Sequence, residues 1–181
     1  MILPLPPNVR FRMTTRVSRI GRPEWLIAIG GGVFILALAI SAVFEPGIRW
    51  LHVFQASIYV AAILLSLRRS RWGHFIGVSA AGVWAYAGAF ASTLFADLLE
   101  APTRPDLILQ GIAWIANLLV ITGCVWAYSR RPSRPRADIG WLVVTFVLTT
   151  AFLAAAIAIF SPSYLDIFPR ILHPHWPWLR A

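Results

Sequence analysis

Residues 73–95 read GHFIGVSAAGVWAYAGAFASTLF, with a small side chain at every fourth position: Gly73, Gly77, Ala81, Ala85, Ala89 and then Thr93. Four-residue spacing keeps these positions on one helical face. Small residues on such a face let a neighbouring helix approach closely enough for backbone packing to hold the pair in lipid. The stretch contains no Asp, Glu, Lys or Arg. It predicts a helix at the centre of a bundle, packed through Gly73, Gly77, Ala81, Ala85 and Ala89.

Outward from it lie four more apolar stretches: Trp25–Phe44, Trp50–Leu67, Leu107–Tyr128 and Gly140–Phe160. At about 1.5 Å per residue, roughly 20 residues cover the ~30 Å hydrocarbon core of a bilayer. The expected fold is therefore all-α: a polytopic membrane protein with a bundle of five transmembrane helices. Ala37-Leu38-Ala39 fits the small-x-small pattern of a signal-peptide cleavage site. The apolar run around it is longer than the 7–15 residues of an h-region, so it is read as an uncleaved anchor.

Composition points the same way. The 181 residues are 59% hydrophobic and only 13% charged, about half the charged fraction of a soluble domain. The net charge of +9 has no separate basic domain to carry it, and no nucleic-acid partner is expected. All sixteen basic residues are arginine. This bias fits a GC-rich bacterial genome, and guanidinium pairs well with the phosphates of anionic lipid headgroups.

Twelve arginines fall in three segments: the arm before Trp25, the group at Arg68, Arg69 and Arg71, and the group at Arg130, Arg131, Arg134 and Arg136. Arg49, Arg104, Arg170 and Arg180 fall on the other side, with five of the seven acids. Arginine retention in the cytoplasm predicts an inner-membrane protein with its N-terminus inside and its C-terminus outside. The expected organisation is a basic cytoplasmic arm (1–24), a five-helix transmembrane domain (25–160) and an extracytoplasmic tail rich in Pro and Trp (161–181). The second and third spans and the fourth and fifth form two hairpins of similar layout, as a parallel internal repeat would produce.

Chemistry-bearing residues are few. The second span carries His52, Gln55, Tyr59 and Ser66 at near-helical spacing, and the fourth carries Gln110, Trp114, Asn117 and Cys124. Tyr59, Trp84 and Asn117 fall near mid-depth. Polar groups inside a membrane need partners, so His52, Gln55, Tyr59, Trp84, Gln110 and Asn117 are expected to hydrogen-bond across helices or to line a cleft open to the outside. His52 and His74 lie at opposite ends and cannot ligate one haem. His74, after Arg71 and Trp72, reads as interfacial. His52 with His173 and His175 would offer three imidazoles to zinc or copper at the outer face, and otherwise no cofactor is expected. The chain has no HExxH, CxxC or phosphate loop, which leaves catalysis without a motif.

These residues support three functional expectations. The first is an accessory or scaffold subunit of a membrane assembly, bound to a membrane-protein partner or to copies of itself. The second is a binding or carrier protein for a small apolar ligand in the outward cleft. The third is an outer-face metal-binding protein.

Overall fold

The computed structural model describes residues 21–91, 97, 100–101, 103–131 and 135–162. The fold is all-helical over these residues, with five helices: α1 (Arg22–Phe44), α2 (Arg49–Leu67), α3 (Arg71–Tyr86), α4 (Pro105–Ser129) and α5 (Pro135–Phe160). A 3-10 turn, Pro46–Ile48, precedes α2, and a π turn, Ala87–Ala91, continues α3. The basic arm before residue 21 and the tail after 162 lie outside the described residues.

Helix starts reflect local chemistry. α1, α4 and α5 each open on a proline at the first or second position, where the missing N–H has no intrahelical partner to lose. Each also sets an acid in its first turn (Glu24, Asp106, Asp138), opposite the positive end of the helix dipole. α2 ends differently. Ser70 N–H donates to Leu65 O and Arg69 N–H to Ser66 O, both at 2.8 Å, while Arg69 takes a left-handed φ of 57°. This is a Schellman closure with arginine where glycine is usual, and it passes the chain into α3 within three residues.

Four helical segments are long and apolar enough to cross a membrane: Arg22–Phe44, Pro46–Leu67, Pro105–Ser129 and Arg136–Phe160. The exposed faces are apolar, with Ile29, Leu36 and Val43 on α1 and Val143, Val147 and Leu148 on α5. The buried faces carry His52, Gln55, His74, Asn117, Asp138 and Thr149. Polar inside and apolar outside is the distribution a bilayer selects. The helix expected over 73–95 is α-helical through Arg71–Tyr86 and continues as the π turn Ala87–Ala91, and residues 92–95 lie outside the described residues.

Packing is closest where a side chain is missing. A Cβ on Gly30 would stand 2.8 Å from Ala116 O, and one on Gly123 would stand 2.9 Å from Pro23 O and 3.0 Å from Ile27 N. α1 and α4 thus meet backbone to backbone in the most extensive helix pair of the fold. Gly73 sits as tightly on Ser66 of α2, and Gly77 on Cys124 of α4. At Gly73 and Gly77 the small-residue face of α3 is therefore filled from within the chain. Ala81 is fully buried, but Ala85 and Ala89 are only half-buried, while Ala87 is buried in their place. A π turn adds a residue to the turn and rotates the positions beyond it, so four-residue spacing no longer holds at Ala89.

α5 is held at two points. Near its start Trp141 meets Trp72 edge to face at 4.9 Å, and near its end Phe160 stacks on Phe54 at 4.8 Å. It packs on α3 and α2 and barely on α4. The hairpin α2–α3 is tightly packed and the pair α4–α5 is not, so the two hairpins share a layout without sharing a packing arrangement.

Candidate functional site

The site grows from one bond between α2 and α4. Tyr59 OH donates to Asn117 Oδ1, and both side chains are buried. Asn117 Nδ2 donates in turn to Ala113 O at 2.9 Å, one turn back on its own helix, which fixes which way the amide faces. Phe34 of α1 stacks on the Tyr59 ring with centroids 4.3 Å apart, and the Trp84 ring of α3 lies 6.3 Å from that of Phe34. Four helices thus supply a floor of Phe34, Tyr59, Trp84 and Asn117.

Tyr59→Phe is expected to destabilise the fold by about 1–2 kcal/mol, because it leaves Asn117 Oδ1 buried without its donor. A double-mutant cycle with Asn117→Leu in detergent micelles measures the coupling. A coupling energy near zero would mean that the bond contributes nothing.

Above the floor is a cavity of about 360 Å³, within the size range of small-molecule sites. It occupies the end of the bundle where α1 and α5 finish and α2 and α4 begin. Its walls are mainly apolar, with Phe34, Leu38, Leu51, Trp84, Leu109 and Ile157 among them. His52, Gln55, Gln110 and Asn117 also line it, and Glu45 and Asp106 stand at its mouth. Of the six residues expected from sequence to line a cleft, five border this cavity, and Tyr59 lies beneath it, bonded to Asn117. Gln110 does so as an exposed side chain and His52 and Gln55 as buried ones.

Three polar atoms of residues that border the cavity are buried without a hydrogen-bond partner and closed off from it: His52 Nδ1, Gln55 Oε1 and Trp84 Nε1. A buried unpaired group of this kind costs on the order of 1–3 kcal/mol. The second indole of the wall is already used, since Trp114 Nε1 donates to Ala85 O at 3.0 Å. Ala85 stands just before the π turn. At the mouth, Asp106 hydrogen-bonds Arg104 and holds that guanidinium above its ordinary pKa.

The metal set does not assemble over the described residues: His173 and His175 lie outside them, and no group of three His, Cys, Asp or Glu side chains converges among them. His74 is corrected. It is fully buried, not set among headgroups, and both ring nitrogens lack a partner.

Two residues that matter carry little signal in the sequence. Phe34 sits in a uniformly apolar span, where no pattern singles it out. Asp138 accepts from Arg71 at 2.8 Å and from Tyr128 OH at 2.9 Å, tying α5 to α3 and α4 at the end opposite the cavity. A lone acid within an arginine-rich segment is the signal that could have found it.

Compared with protein-family models, curated proteins and solved structures, the chain matches none.

Proposed function

We propose that this is a five-span protein of a bacterial inner membrane, N-terminus inside and C-terminus outside, that binds a small, largely apolar ligand in a cleft open to the outer side. The reading rests on one observation: a mainly apolar cavity of about 360 Å³ brings His52, Gln55, Trp84, Gln110 and Asn117 together from three helices. Charge supports the orientation, because the arginine-rich turns lie at the end away from the cavity.

The scaffold reading would use the half-buried end of the small-residue face, Ala85 and Ala89, since α2 and α4 pack on α3 at Gly73 and Gly77. Native mass spectrometry of the protein extracted from its own membranes in mild detergent separates the two. The cleft reading expects a reproducible small mass that is lost in Ala113→Phe, which fills the cavity. A second polypeptide at fixed stoichiometry, with no small mass retained, would count for the scaffold.

A further inference from the structure

At the end of the bundle away from the cavity, α3 and α5 enclose a groove of about 380 Å³. Arg71, Trp72 and Phe75 of α3 line it with Ala137, Asp138 and Trp141 of α5. The two indoles meet edge to face and stay 42% and 48% exposed, the half-wet setting that indoles take at headgroup depth. Val144 and Leu148 follow Trp141 at helical spacing and are also exposed, so an apolar strip leads from the groove along α5.

Charge at this end is one-sided. Among the described residues, seven arginines stand here against two acids, Glu24 and Asp138. Asp138 is taken by Arg71 and Tyr128. Arg131, just past α4, is held below the ordinary arginine range by its partial burial, against the pull of Glu24, and by the charges of Arg71 and Arg69. Three guanidiniums thus converge, and an anion among them would relieve their repulsion. Arg69 also holds a left-handed φ of 57°, where a residue other than Gly or Asn costs about 1–2 kcal/mol. Backbone strain of this kind collects where a side chain is needed for binding.

We infer that the groove between α3 and α5 holds an anionic phospholipid, its phosphate on Arg69 and Arg71 and an acyl chain along Trp141, Val144 and Leu148. Basic pockets between membrane helices at a cytoplasmic face are a recurrent seat for such headgroups. A lipid fits better than a soluble anion, because the remaining walls are aromatic and run on into the apolar strip. By bridging the two helices it fastens α5, which packs on α3 and α2 and barely on α4. Only the assignment to the inner leaflet rests on the orientation proposed above.

The test places the full chain in nanodiscs of phosphatidylcholine with a small fraction of phosphatidylglycerol, and native mass spectrometry identifies the lipid kept on release. Phosphatidylglycerol carries the same phosphate without choline's compensating charge. The parent is expected to keep phosphatidylglycerol in preference. Arg69→Asn, which suits a left-handed φ, should weaken retention about tenfold, as loss of a charged hydrogen bond does. Ala137→Trp, at an exposed position, fills the groove and should abolish retention. Arg130→Gln is the charge control: that guanidinium lies over the Trp126 ring at 4.6 Å, and its loss should change retention by less than about twofold.

Equal retention of the two lipids, or equal loss in Arg69→Asn and Arg130→Gln, overturns the site in favour of diffuse attraction. Retention unchanged in Ala137→Trp overturns the groove as its place. Inorganic phosphate that displaces the lipid as readily as added phosphatidylglycerol overturns the lipid in favour of a soluble anion. Orientation is read separately, by an impermeant maleimide on intact spheroplasts with the parent as blank. Labelling of Ser129→Cys there overturns the inner leaflet and the orientation while the groove stands.

Discussion

Gly123→Leu is expected to cost the fold about 3 kcal/mol and to part α1 from α4. The reason lies in what a side chain would meet. The Cβ itself would fall within 3.0 Å of Pro23 O, Ile27 N and Ile27 Cγ1, and two of these are backbone atoms that cannot turn aside as a side chain does. Relief requires the helices to separate along their most extensive contact. Buried packing around Ile27, Ala116 and Val120 would then be lost with it. In lipid there is little hydrophobic drive to bring them back, because the acyl chains are as apolar as the partner helix. Gly32→Leu is the control: a Cβ there meets nothing within 4 Å, and no loss is expected. Unfolding in mixed micelles measures both. Equal stability of Gly123→Leu and the parent would mean that α1 and α4 do not meet at these backbones.

Asp138→Ala comes second, at about 2–3 kcal/mol, and its effect is local. The carboxylate is nearly buried and joins three helices through Arg71 and Tyr128. Removing one partner of a buried pair costs more than the pair contributes, because the other charge stays behind. Here Arg71 keeps 31% of its side chain exposed and recovers some hydration, which places the cost below the ~3–5 kcal/mol typical of fully buried pairs. Hydrogen exchange should speed up over residues 136–144 while α1 and α4 keep their protection. Uniform acceleration across the chain would instead make Asp138 part of the global core.

Much of this was legible in the sequence because membrane helices obey few rules. Ends of the first, second and fourth helices fall within three residues of the apolar runs, since proline, charge and tryptophan mark the boundaries in both. The polar stripe of α2 was legible for a related reason: His52, Gln55, Tyr59 and Ser66 stand out against an apolar background, and all four are buried.

What escaped is what depends on three-dimensional register. The π turn after Tyr86 leaves no mark in a run of Ala and Gly, so the four-residue pattern runs on through Ala85 and Ala89 although the buried position is Ala87. The tight pairing of Gly30 with α4 and of Gly123 with α1 was hidden because two glycines distant in sequence carry no sign of facing one another. His74 reads wrongly from its neighbours, because Arg71 and Trp72 do reach the surface and the next turn does not.

The three-residue connection from α2 to α3 bears on how the protein reaches its membrane. With Leu65 and Ser66 carbonyls already satisfied by Ser70 and Arg69, this bend needs no partner from elsewhere in the chain. Residues 68–70 span at most about 11 Å, too little for the two helices to settle independently. They are therefore suited to enter lipid as a single helical hairpin. The cavity wall that α2 and α3 contribute is then assembled before α4 is synthesised, and the site closes only when α4 arrives with Asn117.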